Sequence, residues 1–181
     1  MAAILFSRYR NTDLKELTTR LNEDYYEVLR MYCLNASGLA ARLQNDKHHA
    51  STSLYTSLAA KLIEQIESLI RLRQQVILPY VSDLSVKKDE GHDCRNCTGS
   101  CHVGHNANLM SLKDSHKRIK EILFRLQSVA LPLYTEADYP ASYKMLRNEM
   151  TVIDTALTEL FYLEEANLIP RVLEAQRSIH A

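Results

Sequence analysis

The chain has 181 residues, enough for one domain of ordinary size whose core needs no disulfide staples. Lys plus Arg total 22 and Asp plus Glu total 22, so no overall field draws it onto nucleic acid or an anionic membrane, and neither partner is expected. With 4 glycines, 4 prolines and no Trp against abundant Leu, Ala, Glu, Lys and Arg, the composition favours helices and leaves little room for an all-β fold.

The apolar run Met1–Phe6 is shorter than a signal-peptide core, and Arg8 and Arg10 follow it where a signal would place basic residues first. No apolar stretch reaches the roughly 20 residues of a membrane span. Four cysteines, three clustered and Cys33 apart, make poor material for a secreted disulfide framework, so the expected compartment is the cytoplasm.

Thr12 or Asp13 can cap a first helix, with Glu16 reaching back. Leu14, Leu17, Leu21, Val28, Leu29 and Leu34 then recur at helical spacing, predicting a helix over about 13–45. Cys33 on this helix reads as a small buried apolar residue. The polar stretch Asn45–His49 breaks the pattern, Ser51 offers a second cap, and Leu54, Leu58, Leu62, Ile66 and Leu69 extend a second helix to about Asp83, bent near Pro79. From Leu84 to about Asn106 the periodicity disappears, which predicts a long inserted connection between the second and third helices. Leu109, Leu112, Ile119, Leu123 and Leu126 line a third helix. Pro132 and the Tyr134–Pro140 stretch end it, and Leu146, Met150, Ile153, Leu157 and Leu160 carry a fourth. Histidines 48, 49 and 180 fall at a turn or terminus and carry no assigned role. Four helices with short links inside each pair predict an all-α, up-and-down bundle in a single domain, 1–181, with 84–106 as its inserted loop.

That loop holds the strongest chemical signal. His92, Cys94, Cys97, Cys101, His102 and His105 place three thiols and three imidazoles within 14 residues. A Cys-x-x-Cys turn brings two thiolates to one metal, Gly99 and Gly104 let the backbone fold back, and Cys101 with His105 would complete a tetrahedral zinc site. His92 and His102 are alternative fourth ligands. The same thiolates suit an iron–sulfur cluster, and a loop of redox-active thiols, with Cys94 and Cys97 able to form a disulfide, also fits the spacing.

The two halves echo one another. Arg73-Gln-Gln-Val-Ile-Leu-Pro79 in the second helix and Glu164-Glu-Ala-Asn-Leu-Ile-Pro170 in the fourth each run from a polar pair through an apolar stretch to proline. The second half of the chain resembles the C-terminal half of hemerythrin-like domains, particularly the di-iron proteins that repair iron–sulfur centres, and the resemblance extends over about Asp24 to Leu173. The resemblance implies a four-helix bundle with histidines and bridging carboxylates around two irons. On that basis Glu164 stands at a bridging carboxylate and His116 at a histidine of the third helix. The other positions depart from the family: Leu160 precedes Glu164 by four residues, Leu69 and Arg73 replace a histidine and a carboxylate, and Tyr25 and Tyr26 fall near the first helix's histidines. Two ligands cannot hold a di-iron centre. Two outcomes fit the rest: a polar core in which Arg73 takes the cations' place beside Glu164, with His116 as a third member, or charged side chains that snorkel to solvent.

No Ser-His-Asp order, glycine-rich phosphate loop or paired-acid motif supports a hydrolase, kinase or glycosidase. The expectation is a non-enzymatic hemerythrin-like protein, without a complete di-iron site, that binds zinc or responds to redox state through Cys94, Cys97, Cys101 and His105. The alternative implied by the resemblance is an iron-binding or iron–sulfur repair protein of the nitrosative and oxidative stress response. A homodimer or an unidentified protein partner is compatible with either.

Overall fold

Apolar residues at three- and four-residue steps dictate helix, and the computed structural model forms four helices with no strand among the described residues. It describes residue 9 and residues 11–44, 50–91, 100–130 and 141–180; at 50–51, 88–89, 100–107 and 179–180 this extends to the backbone only.

Helix α1 runs over 14–43, as Leu14–Leu21, a π turn at Asn22–Tyr26 and Glu27–Leu43. Helix α2 runs over 50–89, as Ala50–Leu72, a π turn at Arg73–Ile77 and Leu78–Asp89. Helix α3 is Ser100–Ala130, and α4 runs over 141–180, as Ala141–Leu163, a π turn at Glu164–Leu168 and Ile169–His180. Asp13 caps α1, its Oδ1 accepting from the Glu16 amide at 2.6 Å. The Glu16 carboxylate turns forward to Arg20, whose Nε lies 2.9 Å away, instead of reaching back to the cap.

The expected 84–106 connection is shorter than its composition suggested. Leu84 is fully buried and continues the Ile77, Val81 spacing, and the run Lys87-Lys88-Asp89 stays helical, lysine being a good helix former. Glu90 N–H still bonds to Val86 carbonyl at 2.9 Å, and Gly91 then adopts φ +66°, the left-handed conformation that ends a helix cheaply only at glycine. On the far side, 100–106 already belongs to α3.

Both heptads that echo each other open on a π turn and close on proline. Leu78 N–H bonds to Arg73 carbonyl and Ile169 N–H to Glu164 carbonyl, each one residue further back than in an α-helix. Pro79 and Pro170 follow directly. Proline lacks an N–H and crowds the carbonyl four residues earlier, and a widened turn relieves that conflict without breaking the helix.

The described residues pack into two compact units, one drawn from 1–26, 70–114 and 159–181, the other from 27–69 and 115–158. In the first unit, Leu14–Leu21 and Ile169–His180 both pack on Leu78–Asp89, burying Leu17, Leu21, Val81, Leu84, Leu168 and Val172. Arg171 Nη2 reaches the Thr12 carbonyl at 2.5 Å, and Gln176 Nε2 donates to the Tyr80 hydroxyl. In the second, the core is almost wholly apolar: Leu29, Cys33, Leu62, Ile66, Ile119, Leu126, Ile153 and Leu157, with the Tyr55 and Tyr143 rings edge to face at 5.3 Å. No described helix is long and apolar enough to cross a membrane.

Candidate functional site: a buried ion pair at the π turns

The polar core lies in the first unit. Arg73 opens the π turn of α2, Glu164 opens that of α4, and Tyr26 closes that of α1. All three side chains are 0% exposed. Arg73 Nε and Nη2 donate in parallel to Glu164 Oε1 and Oε2, the bidentate fork that matches guanidinium to carboxylate. Tyr26 hydroxyl donates to Oε1 at 2.8 Å, and its ring lies beneath the guanidinium with the centroid 5.5 Å from Arg73 Cζ. A second polar tie joins α2 to α1, where Gln74, next to Arg73, donates from Nε2 to Asn22 Oδ1 at 2.8 Å.

Burial and charge set the protonation states. Burial pushes the Tyr26 phenol well above its ordinary value and the Glu164 charge adds to this, while Arg73 opposes it, so Tyr26 remains a neutral donor. Burial works to discharge Arg73, but the Glu164 carboxylate and its hydrogen bonds more than offset that and raise the guanidinium above its usual value. The ensemble is therefore a charged pair of zero net charge, engaged on both oxygens of its carboxylate. It is suited to holding three helices in register. A general acid or base must exchange protons with a substrate, and a fully buried, ion-paired carboxylate has no route to one.

The di-iron centre of the resembled family does not fit these residues. A guanidinium occupies the space beside the carboxylate, and a divalent cation there would meet a fixed like charge. Leu69 and Leu160, both buried, contribute no ligand atom. Among the described residues no group of three or more His, Cys, Asp or Glu could hold a metal. His116 is buried, 1% exposed, on α3, and belongs to the second unit, while Arg73 and Glu164 belong to the first.

His92, Cys94 and Cys97 lie outside the described residues. Cys101, His102 and His105 fall on the first turns of α3, so Cys101 and His105 are separated by one helical turn along a helix backbone instead of a loop. Gly104 likewise sits within the helix and does not reverse the chain. Cys33 is buried as its position on the apolar stripe predicts, and burial, reinforced by Glu67, pushes its thiol up to about 12, leaving it unreactive at neutral pH.

Tyr26 is the member of this network that the sequence marks least. Its spacing to Leu29 and Cys33 places it on the buried stripe of α1, and a tyrosine on such a stripe needs a partner for its hydroxyl. No protein-family model matches this chain, and no curated protein matches it.

Proposed function

We propose that this is a non-enzymatic protein on the hemerythrin-like four-helix plan, in which the Arg73, Glu164 and Tyr26 network stands in place of a di-iron centre. Metal binding is carried instead by Cys94, Cys97, Cys101 and His105, with zinc as the metal and His92 or His102 as alternative fourth ligands. Metal occupancy then ties Cys94 and Cys97 to Cys101 and His105 at the start of α3 and changes the surface this part of the chain offers to a partner. The compartment proposed is the cytoplasm, where reduced thiols are available as ligands.

The observation that supports this reading is the bidentate, fully buried Arg73–Glu164 pair. A chain that retained iron at this level would need the carboxylate for the metal, and here an arginine consumes it. Elemental analysis of the native protein beside a Cys94→Ser, Cys97→Ser, Cys101→Ser variant tests the proposal. About one zinc per chain, lost in the variant while the helices persist, is the expected result. Iron retained in the variant would place the metal elsewhere and overturn it.

A further inference from the structure

The second unit contains a cleft of about 360 Å³ that neither the ion pair nor the cysteine segment explains. Tyr55 of α2, Leu123, Leu126, Gln127 and Ala130 of α3, and Arg147, Met150, Thr151 and Asp154 of α4 line it. Dry apolar cavities of about 150 Å³ already take up benzene, so this one has room for an aromatic ring and a side chain.

Its chemistry is divided. Leu123, Leu126, Ala130, Met150 and Tyr55 are all buried and form an apolar floor, where the thioether and the phenol ring both favour contact with an aromatic or alkyl body. Gln127 and Asp154 stand at the rim. Gln127 Nε2 donates to Asp154 Oδ2 at 2.6 Å, and this fixes the orientation of the amide, because only its nitrogen can donate to a carboxylate. The acceptors of this pair not engaged in that bond are Gln127 Oε1 and Asp154 Oδ1, one on a charged group. Arg147 lies seven residues before Asp154 on the same helix, about 10 Å along its axis, so the charged group beside Gln127 is Asp154.

We propose that this cleft binds a small organic amine, with the ammonium group held by Asp154 and Gln127 Oε1 and an aryl or alkyl body seated on Leu123, Leu126, Ala130 and Met150. The site is independent of the metal reading, since none of its residues belongs to the ion pair or to the 92–105 segment.

Calorimetric titration of the full chain with 2-phenylethylamine, 2-phenylethanol and 3-phenylpropionate tests it, because the three share a body and differ in the polar end. The amine is expected to bind saturably and at least about tenfold more tightly than the other two, about 1.4 kcal/mol. Asp154→Asn, a change at the rim that leaves the core untouched, should cost the amine a similar factor and leave the alcohol unaffected. Ala130→Phe should fill the cleft and abolish binding of all three with helicity retained. Equal affinity for the three, preference for the carboxylate, indifference to Asp154→Asn, or no saturable binding by the native chain would each overturn the proposal.

Discussion

The two packing units use the same helical spacing to opposite ends. The second unit buries its stripe in the ordinary way, with Leu, Ile and Ala filling the interior and His116, Thr52 and Thr56 as the buried polar residues among those described. The first buries a full guanidinium and a full carboxylate, and the three π turns among the described residues fall within it. The contrast shows where irregular helix geometry is tolerated. A π turn disturbs the regular ladder, and it persists where its own side chains make interactions that an ordinary turn would not place correctly. Arg73, Glu164 and Tyr26 are such side chains, each at the first or last position of its π turn.

The contrast can be broken most forcefully at the ion pair. Glu164→Leu leaves Arg73 charged and buried without its partner, and should lower stability by about 3–5 kcal/mol in urea unfolding. In the second unit Leu62→Ala should cost about 3 kcal/mol, through lost burial and a cavity, with no charge involved. Tyr26→Phe removes one hydrogen bond to a charged acceptor and keeps the ring beneath Arg73, so a loss of about 2 kcal/mol is expected. Asp13→Ala removes the cap of α1 and should cost about 1 kcal/mol.

Alkaline titration sharpens the same comparison. The folded Cys33 thiol is raised from about 9 to about 12, so between those values the folded chain holds a proton that the unfolded chain has released. Stability therefore falls as pH rises through this window, and is fully present below it. Tyr26 acts in the same direction from its own ordinary value upward. Cys33→Ala should flatten the part of the decline that begins near pH 9, measured as the urea midpoint against pH.

Much of this was legible in the sequence, and for physical reasons. The apolar periodicity of Leu17, Leu21 and Leu29, of Leu62, Ile66 and Leu69, and of Ile153, Leu157 and Leu160 marks helices whose buried faces the structure reproduces, whereas Leu34 and Leu54, placed on the same rows, are exposed. The pairing of Arg73 with Glu164 was one of two outcomes left open by the family resemblance, and the structure forms the pair instead of sending the two side chains to solvent. The π turns were not legible, since a one-residue change in hydrogen-bond register leaves almost no mark on a short periodic pattern. Pro79 and Pro170 hint at two of them, but nothing comparable marks Asn22–Tyr26. The ends of the cysteine segment were misplaced because Lys87-Lys88-Asp89 carries no apolar period yet stays helical, and because Gly104 is tolerated inside α3 at a cost of about 1 kcal/mol. The cleft beside Tyr55 depends on three helices at once and has no signature in any one of them.

The most direct measurement is a double-mutant cycle on Arg73 and Glu164, with Arg73→Met, Glu164→Leu and the double variant unfolded in urea at neutral pH. If the pair is a self-compensating charge couple in the core, the double variant is close to the native chain in stability, and well above either single variant, because no uncompensated charge remains buried. Additive losses in the double variant would mean that each residue is stabilised by something other than its partner, and would contradict the claim that an ion pair occupies this core.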